Sequence, residues 1–220
     1  MTLASASAQP VSTEILRLAV LLLAAGEGSR MGGFPKALLM KDGKSLLEHF
    51  CLTMKTLEPV ELVIVTGYHH QAIEAEVMGQ SGAIGLPVKI VRNTNPERGQ
   101  ASSVRLGLES LQSDFNVLAV ALCDQPNMAM AEWTALLSQF AQCKFKEAIV
   151  LPQVQGQRGN PVLFSKAVID AIRAIPAMVC RPYMDQHPEL VRLFETVNTA
   201  YVMDADTEAD IQKLGVTKSR

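Results

Sequence analysis

The chain has 220 residues, 48% of them hydrophobic, and a formal net charge of −2. That is ample for a packed core in one domain, and it lacks the basic excess of a nucleic-acid binder. The four cysteines (Cys51, Cys123, Cys143 and Cys180) form no CxxC pair, which argues against a zinc site and against a secreted disulfide framework. No apolar run reaches the roughly 18 residues a membrane span needs, so no membrane partner is expected. The opening "MTLASASAQPVSTE" is small and polar, without the basic start and apolar stretch of a signal peptide. It reads as a flexible tail over 1–14 ahead of a single domain over 15–220, and the default is a cytoplasmic protein.

Short apolar, β-branched runs alternate with amphipathic ones. Strands are expected at 17–23, then at 61–67, 87–93, 115–122 and 147–152. Helices are expected between them, at 45–57, 70–78, 100–112 and 129–142. Beyond Pro152 the rhythm loosens: 165–175 looks helical, 190–196 extended, and 207–215 like a last helix. Continuous apolar strands alternating with helices predict an α/β fold. It would be a three-layer, Rossmann-like arrangement, its mostly parallel sheet covered by helices on both faces.

The first strand runs into "LAAGEGSRMGGFPKALL", Leu23 to Leu39. In open α/β sheets, ligands bind beyond the carboxyl ends of the strands, where this loop falls. Glycine backbone N–H groups can ring a phosphate chain, Arg30 and Lys36 supply positive charge, and Pro35 stiffens the approach to Lys36. Two familiar phosphate loops do not fit. After Gly26 and Gly28, a dinucleotide fingerprint needs its third glycine at 31, which is Met31; Gly32 is one place late. A Walker A loop needs GK followed by Ser or Thr, whereas Lys36 follows Pro35 and precedes Ala37.

The stretch "LAAGEGSRMGGFPK" resembles the signature LAAGxGxRMGxxxPK of nucleotidyltransferases with a GT-A-like fold. Within that superfamily the chain is similar to the MobA-like NTP transferases, especially their molybdenum cofactor cytidylyltransferase branch. Three further segments agree: "NTNPERGQASSVRLGL" (93–108), "ALCDQPNM" (121–128) and "DADTEADI" (204–211), the last with Glu208 and Ala209 where the family has Pro and Glu. The resemblance spans roughly residues 15 to 215. It implies transfer of a nucleotidyl group, most readily CMP from CTP, to a phosphorylated acceptor such as molybdopterin, with release of pyrophosphate. A molybdoenzyme would then be a further partner. Two other readings stay open: a sugar or polyol phosphate as acceptor, and a non-catalytic nucleotide-binding protein that helps mature a molybdoenzyme. Family cytidylyltransferases usually carry a GDxG-type loop in the C-terminal third. Here that region reads "IPAMVCRPYMDQHPELV", so the acceptor half is less well supported than the nucleotide half.

The resemblance also assigns roles. Ala24, Ala25, Gly26 and Gly28 line the nucleotide, Arg30 holds the triphosphate, and Lys36 meets charge at the reacting phosphate. Gly99 and Ser103 lie near the base, although a plain helix cap by Ser102 or Ser103 is the alternative. Magnesium takes carboxylate and phosphate oxygens. Asp124, emerging at the same sheet edge as the loop, is the first metal candidate and joins Lys36 and Arg30 as catalytic. Asp206 is the second, with Asp204 as its alternative or support; a solvated, acid-rich helix start is the competing reading of that segment, and a cap at Thr207 is compatible with both. "GQRGNP" (156–161) either borders the acceptor pocket or is a mere turn. His49, His69 and His70 lack partners at metal spacing and read as surface or core residues. The family's cytidylyltransferases tend to have LAAG where guanylyltransferase relatives have LAGG, so Ala25 favours CTP.

Overall fold

A computed structural model describes residues 16–85, 88–143 and 148–218. The predicted tail over 1–14 and the first residues of the strands placed at 87 and 147 fall outside these. The strands are β1 (Leu18–Ala24), β2 (Met40–Lys41), β3 (Lys44–Ser45), β4 (Glu61–Thr66) and β5 (Val88–Arg92), followed by β6 (Val117–Leu122), β7 (Ile149–Val154), β8 (Gln157–Arg158), β9 (Val162–Ser165) and β10 (Val191–Glu195). The helices are α1 (Leu46–Leu57), α2 (His70–Ile84), α3 (Gln100–Ser110), α4 (Met130–Ala141), α5 (Lys166–Ala174), α6 (Cys180–Gln186) and α7 (Glu208–Leu214).

The main sheet runs in the order β10-β7-β9-β6-β1-β4-β5, with β8 paired to β7 and a separate β2–β3 ribbon. Every long pairing is parallel except those of β9, which runs antiparallel to both β6 and β7. Strand side chains alternate between faces, and the core divides accordingly. Ala19, Leu21 and Leu23 of β1 pack with Val104 and Leu108 of α3, Ile169 and Ile172 of α5, and α6. Leu18, Val20 and Leu22 pack with Leu47 and Met54 of α1, Ile73 of α2, and Trp133 and Leu136 of α4. These are the three layers expected from the sequence. β1 carries β4 on one side and β6 on the other, so the chain reverses direction across the sheet at the carboxyl end of β1.

Three elements depart from the predictions. α6 forms within a segment that showed no helical pattern. Its Pro182 is the third helical residue, where the backbone N–H it lacks has no partner to lose. β8 turns back on β7 as a hairpin through Gln155 and Gly156, both at positive φ, the twist that suits a two-residue hairpin. The helix predicted to end at residue 78 continues to Ile84.

Candidate functional site

The loop after β1 is shaped by its glycines. Gly28 sits at φ +70°, and a Cβ there would lie 2.1 Å from the Phe34 carbonyl oxygen, so only glycine closes this turn. The Gly28 carbonyl accepts from the N–H groups of Met31 (2.9 Å) and Gly33 (3.0 Å). Met31 is buried with Leu39, Leu46, Ala205, Ile211 and Leu214, a small apolar cluster that fastens the loop to α7 and the segment before it. His69 presents Nε2 to the Glu27 carbonyl at 2.7 Å. Gly67, just past β4, packs so closely on Ala25 that a Cβ would lie 2.7 Å from its carbonyl oxygen.

Lys36, straight after Pro35, opens a short 3-10 turn. Its Nζ donates to Asp124 Oδ2 at 2.7 Å and also to Asp206 Oδ1. Arg30 Nη1 donates to Asp206 Oδ2 at 3.1 Å. Residues 30, 36, 124 and 206 therefore form one cluster at the carboxyl edge of the sheet. The backbone makes this possible: the Ala205 N–H donates to the Asp124 carbonyl at 2.8 Å, locking the "DADT" segment beside the end of β6. Lys41 secures the other flank, donating to the Pro126 carbonyl (3.0 Å) and Asn127 Oδ1 (2.7 Å). Burial alone would lower the Lys36 pKa, but the Asp124 carboxylate and then Asp206 outweigh it and hold the ammonium above its ordinary value. Arg30 is 72% exposed, so its ion pair adds little to stability.

Asp204 lies behind the cluster. Burial, then the charge of Asp124, push its carboxyl up to about 6. Asp124 Oδ1 and Asp204 Oδ1 are buried without a hydrogen-bond partner. A buried carboxylate oxygen with no donor is costly unless a cation or water meets it, which fits an oxygen-liganded ion. Among the described residues, no group of three or more His, Cys, Asp or Glu is placed to hold a metal ion by itself. Magnesium suits such an open site, because it shares its coordination with substrate phosphates and water.

Two cavities meet here. The first, about 420 Å³, is lined by Ala24, Ala25, Gly26, Lys36, Gly99 and Ser103, together with Asp124 and Asp206. Gly28 and Arg30 are not part of this lining; Gly28 shapes the turn and Arg30 stands outside it. The second, about 720 Å³, lies towards β9 and α6 and is mostly apolar, with Val104, Leu151, Phe164, Val179 and Met184 in its walls and Arg158 and Arg181 among its charged residues. Leu23, Gln100, Leu122 and Asp204 line both. The "GQRGNP" segment supplies Gln157, Arg158, Gly159 and Asn160 to the second cavity, so it is more than a turn.

Gly99 lies at φ +85° immediately before α3, and neither Ser102 nor Ser103 caps that helix. Gly99 holds the cap position, so both serines fall inside the first turn, where Asn93 Nδ2 donates to Ser102 Oγ (2.8 Å) and Ser103 Oγ (3.0 Å) and Ser102 Oγ donates to the Gly99 carbonyl (2.8 Å). Thr207 does cap α7, in a reciprocal box with Asp210. That capping coexists with the Asp206 contacts to Lys36 and Arg30. His69, read from the sequence as a surface or core residue, meets the Glu27 carbonyl of the loop, and Gly67 and Lys41 received no role from the sequence. Only Gly67 left a signal, a glycine directly after an apolar strand.

Residues 20–190 match the family described as the MobA-like NTP transferase domain. The chain belongs to that family. As a MobA-like NTP transferase it is an enzyme of the nucleotidyltransferase class. Nicotine blue oxidoreductase of Paenarthrobacter nicotinovorans is 30% identical over 199 residues, 88% of this chain and 94% of that protein. Rv0371c of Mycobacterium tuberculosis superposes with a TM-score of 0.70 at 20% identity, over 91% of this chain and 98% of that one. The same protein has been solved as a manganese complex, which superposes at 0.65. The inositol-1-phosphate CTP transferase of T. maritima superposes at 0.63 with 17% identity, over 92% and 96% of the two chains. These structures share the MobA-like NTP transferase fold described above. Among the described residues, no helix is long and apolar enough to cross a membrane.

Proposed function

We propose that the chain transfers CMP from CTP to a phosphorylated, molybdopterin-like acceptor. The observation that carries this reading is Lys36 held between Asp124 and Asp206 where two cavities adjoin. An oxygen of the acceptor phosphate attacks the α-phosphorus of CTP. The bond from that phosphorus to the β-phosphate bridging oxygen breaks, and pyrophosphate leaves. Such chemistry asks the protein for in-line positioning and for neutralisation of spreading charge. The glycine loop surrounds the triphosphate, Arg30 approaches it from the exposed side, and Lys36 turns from the carboxylates towards the reacting phosphate. Gly99 and Ser103 face the base. Asp124 and Asp206, with Asp204 in support, would hold magnesium, which neutralises phosphate charge when bound.

The second cavity offers apolar walls to a flat ring and Gln157, Arg158, Asn160 and Arg181 to the polar groups at its edge. The inositol-1-phosphate CTP transferase among the structural neighbours keeps the polyol reading in view. Pyrophosphate release, measured with each NTP against molybdopterin and a panel of sugar and polyol phosphates, tests both. Release with CTP and molybdopterin is the expected result. Release only with polyol or sugar phosphates would replace the acceptor, and no release with any pair would leave a nucleotide-binding accessory role.

A further inference from the structure

The second cavity has two helical walls, α3 and the start of α6 with the residue before it, Val179 to Pro182. The α6 wall follows a loop, 175–179, that leaves the end of α5 and carries Ala177 at φ +59°. A helix end exposes carbonyls that need donors. Here one side chain from a neighbouring helix of the same layer supplies donors. Arg105, on α3, donates through Nη1 to the carbonyls of Ile172 (3.2 Å), Ile175 (3.0 Å) and Met178 (3.3 Å), and through Nη2 to that of Arg173 (3.1 Å). Its Nε is taken by Glu109 at 2.6 Å. One guanidinium thus gathers the last turn of α5 and the whole path to α6. Lysine, a point charge on a flexible stem, cannot make that fork.

The other end of α6 is tied less firmly. Asp185 pairs with Arg158 of β8 at 2.6 Å, but both side chains are about half exposed. Arg105 has a side-chain exposure of 21%, and its helix also contributes Gln100, Ala101 and Val104 to the cavity.

We propose that Arg105 is a positioning residue for the acceptor chamber, setting the α6 wall against α3 without touching nucleotide or acceptor. The link to an acceptor rests on the function proposed above; the placement of the wall does not. Cys180, buried at the start of that wall, reports on it directly, and Cys51, fully buried in the opposite layer, reports on global opening.

Iodoacetamide labelling resolved by peptide mass spectrometry, with CTP binding measured alongside, provides the test. In Arg105→Met, Cys180 is expected to label at least ten-fold faster, with Cys51 and CTP affinity unchanged. Arg105→Lys should fall between Met and wild type, and it carries the test if the Met variant does not fold. Glu109→Gln, which leaves the four carbonyl contacts in place, should label like wild type. An unchanged Cys180 rate would overturn the proposal, as would equal acceleration of Cys180 and Cys51. With molybdopterin and CTP as substrates, the KM for molybdopterin should rise in Arg105→Met while kcat stays within about two-fold. A wild-type enzyme inactive on that pair would sink the proposed function, yet leave the labelling result standing.

Discussion

The two cavities are held together by different means. The nucleotide cavity is built from backbone. Glycines press against carbonyls, Ala205 locks onto Asp124 through the main chain, and a buried cluster around Met31 fixes the loop. The second cavity leans more on side chains that tie neighbouring elements, Arg105 to the end of α5 and Arg158 to Asp185 of α6, with backbone contacts at Gly159 and Asn160. Backbone construction constrains residue type where a Cβ would meet a carbonyl, as at Gly28 and Gly67, or where φ is positive, as at Gly32, Gly33 and Gly99. Side-chain construction constrains only the anchors. The first region is accordingly a motif, and the second is a shape.

The sharpest way to break this contrast is Lys36→Ala. If the cluster stabilises the transferring phosphates, turnover should drop by two or more orders of magnitude, about 3–4 kcal/mol, with the fold intact by circular dichroism. Wild-type pyrophosphate release in this variant would remove Lys36 from the chemistry. Asp124→Asn keeps the shape but removes a charge. The magnesium-dependent tightening of CTP binding should largely disappear, while metal-free nucleotide still binds; calorimetric titration with and without magnesium checks it.

Base choice comes next in size. CTP should be preferred to GTP by roughly ten- to hundred-fold in transfer efficiency, the scale of about 1–3 kcal/mol that small steric differences provide. The Ala25 methyl lies beside Gly67, so Ala25→Gly acts through the spacing of two loops and should narrow the ratio. Competition between equal CTP and GTP measures this, and a GTP preference would overturn the cytidylyltransferase reading alone. On the acceptor side, Arg158→Ala should raise the acceptor KM about ten-fold, near 1.4 kcal/mol, and leave the CTP constant alone. An equal rise in both constants would erase the distinction between the two cavities. The smallest effect is expected from Thr207→Ala, which removes the α7 cap at a cost of about 1 kcal/mol in urea denaturation.

The same contrast explains what could be read in advance. β1, β4 and β6 are continuous apolar runs because both faces are covered, and such runs are visible without any tertiary knowledge. The glycine loop was legible for the same reason its backbone is constrained. α6 was hidden: a seven-residue helix containing Pro182 and Arg181 shows no periodic pattern, and the loop leading into it is held at Met178 by Arg105, far back in the chain. The roles of His69 and Lys41 were hidden because each acts on a carbonyl, and a carbonyl carries no sequence label.

The reversed strand has an outcome of its own. β9 is gripped on both sides, by β6 and β7, so its position does not depend on what precedes it. The hairpin before it, turning at Gln155 and Gly156, lends Gln157 and Arg158 to the second cavity and is tied to α6 by the half-exposed Arg158–Asp185 pair. Residues can be added or exchanged there without shifting the register of a single parallel strand. A new acceptor can therefore be accommodated by grafting a different hairpin, while Lys36, Asp124 and Asp206 stay where they are. Diversification of one half of such an enzyme needs no renegotiation with the other.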